Sequence, residues 1–436
     1  MPPQLILLRH PLSSGTTKAK ILSIRPPHNT FSFAPIATTA HSPHRINIKQ
    51  TSPIVPTTAL HSPSHNILFP SPSAHSSLQT NNHYYSFLSR PMTTLSQRQK
   101  EASTMPTYPE YRSLVPPLNA NLHKGQGGRV CILGGSSDYT GAPYFSAMSA
   151  LRLGADLCHV ICDEDAATAI KTYSPDLIVH PHIKIRAANT AQDKKAANDI
   201  WAHTFDEINS LLKRIHVLVI GPGLSRDKGM LQTAKHAIEV AKEQAMPIVI
   251  DADGLFLIQN DPEIIQGYKK AVLTPNLVEF SRLCNVMNVD TEDEEAEQPA
   301  VQRLSQALGG VIVIQKGKAD VISDGQKVQV VDNEGGLKRS GGQGDILTGL
   351  VATSLAWGLA YEKEVWQHTH PVKQEDVAMT ACFGACVINR ECSRLAFEKH
   401  NRALQSSDVL AEIGPFFHLF YKKPRQNATW SQAIYG

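Results

Sequence analysis

Gly335-Gly336-Leu337-Lys338-Arg339-Ser340-Gly341-Gly342-Gln343-Gly344-Asp345-Ile346-Leu347-Thr348-Gly349 is a polar, glycine-rich loop that turns abruptly apolar. No charged residue follows from 346 to 360, so the loop opens directly into a buried helix. A helix start carries N–H groups without intrahelical partners and a partial positive charge, which together favour a phosphate. Glycines such as Gly341, Gly342, Gly344 and Gly349 let a backbone approach that phosphate closely and adopt positive φ. Asp345 would repel a bare phosphate. Two readings of it stand: a general base for a hydroxyl that attacks the phosphate, or an Asp that caps the helix.

A helix uncharged along such a run must be covered on all sides, and the flanking sequence supplies the layers. Residues 129–133 read as a short apolar strand that ends at Gly134-Gly135, and residues 142–153 as a helix closed by Gly154. Further strands are expected at 157–161, at 217–220 before Gly221-Pro222-Gly223, and at 247–250 before Asp251-Ala252-Asp253. Two more are expected at 271–273 before Thr274-Pro275-Asn276 and at 311–315 before Lys316-Gly317. Short apolar runs alternating with helical patterns predict an α/β fold, a mostly parallel central sheet with helices on both faces. In such sheets the ligand crevice lies beyond the carboxyl ends of the strands, where the polar punctuation falls.

Charge divides the chain. Residues 1–100 hold 9 Lys and Arg and no Asp or Glu, whereas the remainder holds 33 against 39 acids. The basic balance therefore belongs to the tail and gives no support for nucleic-acid binding by the body. Residues 1–105 are rich in Ser, Thr, Pro and His, and are expected to be a disordered low-complexity extension. Residues 106–436 are expected to form one catalytic domain. The acid-free tail, with Arg9, Lys18, Lys20 and Arg25, has the composition of a mitochondrial transit peptide, although its prolines disfavour the amphipathic helix such a peptide needs. A cytoplasmic location is the main expectation and a mitochondrial one the alternative. The acid-rich residues 290–298 read as a solvated loop. Seven unevenly spaced cysteines read as buried reduced thiols, and the run 346–360 is too short to span a membrane.

Other constellations carry two readings each. Asn276 and Glu279 have the spacing of a helix capping box, and the same pair could organise a hydrated Mg²⁺ or touch a substrate. Asp251 and Asp253 either cap the following helix or face the substrate. Gly221-Pro222-Gly223 is a turn or a substrate loop. Neither a Walker A sequence nor a Gly-x-Gly-x-x-Gly after a strand occurs.

Taken in order, several segments resemble the ribokinase-like superfamily, and within it the ATP-dependent (S)-NAD(P)H-hydrate dehydratases. They are Lys124-Gly125-x-x-Gly128-Arg129, Gly134-Gly135-Ser136-x-x-Tyr139-Thr140-Gly141-Ala142-Pro143, Gly154-Ala155-Asp156, Gly221-Pro222-Gly223-Leu224, and Asp251-Ala252-Asp253-Gly254-Leu255. Thr274-Pro275-Asn276-x-x-Glu279-Phe280-x-Arg282-Leu283, Lys316-Gly317-x-x-Asp320 and the glycine loop complete the series. The resemblance implies a ribokinase-like fold and a lyase that repairs hydrated NADH or NADPH. ATP would phosphorylate the C6 hydroxyl, and loss of phosphate would restore the cofactor.

The resemblance also implies roles. Asp345 would be the base and a substrate contact, with the Gly342 to Gly344 amides on the transferred phosphoryl group. Lys316, Gly317, Lys318, Ala319 and Asp320 would contact ATP. So would Gly335, Gly336, Leu337, Lys338, Arg339, Ser340, Gly341, Gly342, Gln343 and Gly344. Gly223, Asn276, Leu277, Val278, Glu279, Phe280, Ser281 and Arg282 would contact the hydrated dinucleotide. Mg²⁺ would arrive with ATP, near Asn276 and Glu279, rather than in a site made by protein alone. No nucleic acid or membrane partner is implied, and a homo-oligomer is allowed but not required. The competing expectation is a ribokinase-like small-molecule kinase, of hydroxymethylpyrimidine, thiazole or sugar type, whose phosphorylated product is stable.

Overall fold

A computed structural model describes residues 108–291, 297–368 and 371–421. The expectations for residues 1–105, and for 292–296 of the acid-rich loop, lie outside the described residues.

The strands are β1 (Arg129–Leu133), β2 (Leu157–Asp163), β3 (Ile178–Ile183), β4 (Val217–Ile220), β5 (Ile248–Ile250), β6 (Ala271–Leu273), β7 (Ile312–Gln315), β8 (Asp320–Ser323) and β9 (Val328–Val331). They form one 9-stranded sheet in the order β3-β2-β1-β4-β5-β6-β7-β8-β9. Pairing is parallel from β3 to β7 and antiparallel across β7-β8-β9. All the strands expected from sequence are present. β3, β8 and β9 are additional; β3 is His- and Pro-interrupted and β9 is half exposed, so neither displays a buried apolar run.

Each central strand is buried on both faces because its side chains alternate between two cores. Val130, Ile132, Val217, Val219 and Val249 face one core, built against the helices Gly141–Leu153, Gln343–Glu362 and Val377–His400. Cys131, Leu133, Leu218, Ile220 and Ile248 face the other, built against Lys194–Leu212, Lys228–Glu243 and Leu277–Val286. That two-sided burial accounts for the continuous apolar strands. The Gln343–Glu362 helix is buried from Ile346 to Gly358, which explains its missing charges.

Strand order reverses between β1 and β4, since one half of the chain winds outward from each. The loops beyond these two carboxyl ends meet there: the Gly135 N–H donates to the Gly223 carbonyl at 3.1 Å, and the Gly221 N–H to the Leu133 carbonyl at 3.1 Å. Such a reversal opens a crevice where neighbouring loops part.

Candidate active site

The Gln343–Glu362 helix begins at Gly342, whose φ of 97° is the left-handed conformation that glycine alone adopts cheaply. Asp345 lies in the first turn and does not cap it; the capping reading of this residue is therefore wrong. No side chain caps this helix start, so its first N–H groups point outward with no side-chain acceptor. Burial pushes the Asp345 carboxyl up to about 7, with the charges of Asp251 and then Glu279 adding to the effect and Lys316 opposing it.

Lys316 follows β7 and reaches Asp251 at the end of β5, with Nζ to Oδ1 at 2.8 Å. The Asp251 side chain is only 4% exposed, so removing this ammonium would leave a buried carboxylate without its partner. Beside the pair runs the bare backbone of Gly344: a Cβ there would lie 3.2 Å from Lys316 Nζ and 3.4 Å from Asp251 Oδ2. Three carboxylates (Asp251, Glu279 and Asp345) thus share one ammonium, and burial followed by Asp251 also raises the Glu279 carboxyl. Asp251 neither caps a helix nor lies open to a ligand. Asp253 is committed elsewhere, accepting from the Ser225 N–H at 3.0 Å and Arg226 Nε at 3.2 Å.

Lys316 of the cluster and Gly344 beside it line a groove of about 610 Å³. Its walls bring together Lys316, Gly317, Lys318 and Asp320 with Gly335, Arg339, Gln343 and Gly344, two stretches that sequence had singled out separately. Other residues of those stretches stand off the walls. Leu337 is 71% exposed, and Gly336 is packed so tightly that a Cβ would come 2.5 Å from the Ser393 carbonyl. Gly349 has no place in the phosphate cradle. A Cβ there would meet the Ser146 carbonyl at 2.0 Å, so this glycine lets two helices touch.

Asn389, Arg390 and Ser393, on the Val377–His400 helix, complete the groove and were not legible in the sequence. Arg390 pairs with Asp320 Oδ2 at 3.3 Å and donates to the carbonyls of Asn333 at 2.6 Å, Gly317 at 3.4 Å and Lys318. It thereby ties the loop after β7 to the chain entering the glycine loop. Asp320 also accepts from the Gly317 N–H at 3.2 Å, so its carboxylate braces the wall from behind.

The residues expected to meet a dinucleotide divide. Asn276, Leu277 and Val278 lie on the groove already described, whereas Glu279 and Arg282 line a separate pocket of about 140 Å³ with Arg226 and Phe256. Phe280 is 4% exposed and packs in the core, so its side chain is withdrawn from any ligand, contrary to expectation. Gly223 stands at the strand-order reversal, with φ of 64°; a Cβ would come 2.4 Å from the Tyr139 carbonyl. The capping box is formed: Asn276 Oδ1 accepts from the Val278 and Glu279 N–H groups, and Glu279 Oε2 accepts from the Asn276 N–H at 2.8 Å. One Glu279 oxygen stays outside that box and the residue still faces the charge cluster.

No group of three or more His, Cys, Asp or Glu among the described residues is placed to hold a metal directly. All seven cysteines are buried and unpaired, as the sequence led us to expect.

The family model described as NAD(P)H-hydrate dehydratase matches residues 130–415. An ATP-dependent (S)-NAD(P)H-hydrate dehydratase of Neurospora crassa is 48% identical over 337 residues, covering 74% of this chain and 96% of that protein. Among solved structures, a ribokinase-like superfamily protein of Enterococcus faecalis superposes with a TM-score of 0.55 at 18% identity, over 73% of this chain and 96% of its own. The ADP/ATP-dependent NAD(P)H-hydrate dehydratase of Bacillus subtilis, co-crystallised with ATP and Mg²⁺, gives 0.50 at 18% identity, over 72% and 97%.

Proposed function

The chain belongs to the NAD(P)H-hydrate dehydratase family, and from that premise we propose how its groove carries out the family's chemistry. It is an ATP-dependent lyase with a ribokinase-like fold, acting on the S epimer of hydrated NADH or NADPH. Hydration has added a hydroxyl at C6 and a hydrogen at C5 of the nicotinamide ring. Transfer of a phosphoryl group from ATP to that hydroxyl makes it a good leaving group. Departure of phosphate from C6 and a proton from C5 then restores the double bond, leaving ADP and phosphate as the other products.

Phosphoryl transfer asks a protein mainly for positioning, charge stabilisation and a base. The observation that carries this assignment is Asp345, half-buried in the first turn of an uncapped helix with a carboxyl near 7. A base so poised takes the hydroxyl proton at neutral pH without being permanently ionised. The amides of Gly342 to Gly344 receive the transferred group, and the walls at 316–320 and 335–344 hold the rest of ATP. Lys316 keeps the cluster from becoming too negative for a triphosphate. The dinucleotide enters from the strand-order reversal at Gly223, bringing its ring to the other side of Asp345.

Mg²⁺ accompanies ATP in this reading and neutralises phosphate charge when bound. The residues fit a water-mediated ion: Asp251, Glu279 and Asp345 gather around the Lys316 ammonium next to Gly344 of the groove wall. Glu279, set by its box with Asn276, would hold such waters. Residues 1–105 are assigned as an extension outside the catalytic body, which is placed in the cytoplasm. Mitochondrial import through the acid-free tail is the alternative, and imaging of full-length and tail-deleted chains decides between them.

The test supplies hydrated NADH, ATP and Mg²⁺ and follows the absorbance of regenerated NADH. Regeneration with equimolar ADP is expected. Phosphorylation of a different alcohol with no regeneration would return the protein to the small-molecule kinases.

A further inference from the structure

The segment Lys124-Gly125-x-x-Gly128-Arg129 takes no part in the chemistry above, and its position shows why. Arg129 begins β1 and His216 immediately precedes β4, so both stand at the amino ends of the strands. The catalytic groove lies beyond the carboxyl ends. Here the chain forms a separate pocket of about 200 Å³, lined by Lys124, Arg129, His216 and Lys363 together with the last turn of the Gln343–Glu362 helix. Ala356 to Lys363 line the pocket 11 to 18 residues beyond Asp345 on that helix, so the two lie about 20 Å apart along its axis.

Arg129 is the unusual member. Its guanidinium lies flat on Gly125, where φ is +102° and a Cβ would come within 2.5 Å of both Nε and Nη2. Only glycine leaves room for the stack. Arg129 Nε is shut off from solvent and has no hydrogen-bond partner among the described residues. A buried donor left without a partner calls for a ligand or an ion. Neither Lys124 nor Lys363 forms an ion pair among the described residues. Asp156 is occupied with the N–H groups of Gly125 at 2.6 Å and Gly127 at 2.9 Å, and Glu362 stands beside Lys363 in the chain and feels its charge.

The pocket is therefore positive on balance. Its lining carries Lys124, Arg129 and Lys363 and no carboxylate, while the already-bonded Asp156, the exposed Glu362 beside Lys363 and the half unit of negative charge at a helix C-terminus lie around it. His216 reports the same field: burial, and then the charges of Arg129 and Lys363, hold its pKa below the ordinary range, with Asp156 opposing.

We propose that this pocket is a second ligand site that binds a small phosphate-bearing metabolite through Arg129, Lys124 and Lys363. Guanidinium and ammonium groups converging on one cavity match a phosphate's several acceptor oxygens. An adjoining cleft of about 540 Å³ shares Lys124 and carries the fully exposed Leu118, which gives the organic body of such a molecule a place to lie.

The experiment is equilibrium dialysis of the full chain with radiolabelled inorganic phosphate, the catalytic groove being filled by Mg²⁺ and a non-hydrolysable ATP analogue. One phosphate retained per chain is expected, with affinity falling as salt rises. Lys363→Gln, an exposed change that the fold tolerates, should weaken retention at least fivefold and Arg129→Gln at least tenfold. Turnover of hydrated NADH without added phosphate should be unchanged in Lys363→Gln. No saturable retention once the groove is filled, or retention unaltered by Lys363→Gln, would overturn the assignment; either result is independent of whether Asp345 is the base.

Discussion

At the scale of single residues, burial makes the Asp345 carboxyl expensive to ionise, and the proposed mechanism uses its ionised form. Because Asp345 titrates near 7 when folded, the rate is expected to rise with pH through about 7 and level off above it, in kcat/KM measured with hydrated NADH. Asp345→Asn should lower turnover by roughly two to four decades while ATP still binds. The same variant has a stability signature. A carboxyl whose folded pKa exceeds its unfolded one binds more protons when folded, so stability is lost as pH rises from about 4 to about 7. Removing it should raise Tm at pH 8 by roughly 2–4 °C, with the difference vanishing near pH 4. Equal melting at both pH values would mean that the buried charge costs nothing. Lys316 opposes the upward shift, so Lys316→Gln should move the acid limb of the rate profile to higher pH, by about one unit. A limb that stays in place would remove Lys316 from the cluster.

At the scale of elements, the two helix starts facing the groove differ in a way that separates structure from function. The Leu277–Val286 helix satisfies its own first turn through Asn276 and Glu279. The Gln343–Glu362 helix leaves its first turn uncapped. Both starts were legible as starts. That one was capped and the other vacant was half legible, because the box has a spacing signature and an uncapped helix has none. The Lys316–Asp251 pair was illegible, since it spans β6 and requires the strand order. Arg390 was hidden for the same reason, an arginine in mid-helix with no local punctuation to mark it. It is nevertheless the residue that ties the loop after β7 to the chain entering the glycine loop, the two walls proposed to hold ATP. Arg390→Met would strand the buried Asp320 carboxylate and three carbonyls, at a cost of about 3 kcal/mol. The KM for ATP should rise about tenfold, with kcat altered less, and Arg390→Lys should recover only part because an ammonium lacks the planar fork. Equal losses of kcat and of ATP affinity would place Arg390 in the chemistry rather than behind it.

At the scale of the whole molecule, composition and family coverage divide the chain at nearly the same place. The acid-free segment ends at residue 100, and the family model takes up the chain at residue 130. The Neurospora relative is matched over 96% of its own length by only 74% of this chain, and the proposed extension lies in the remainder. The first described helix, Pro109–Leu114, still matters, because Tyr111 and Leu114 are fully buried and the Tyr111 hydroxyl bonds Ser354 Oγ at 2.9 Å in the long central helix. A cut must therefore fall before residue 108. If residues 1–105 are the proposed extension outside the catalytic domain, removing residues 1–104 should leave kcat and both KM values within about twofold and Tm within about 2 °C. Removing residues 1–115 should instead cost about 3 kcal/mol or more, through a cavity where Tyr111 and Leu114 packed against the central helix. Calorimetry on the two truncated chains separates the cases, and a large loss already at residue 104 would show that the tail is part of the folded unit.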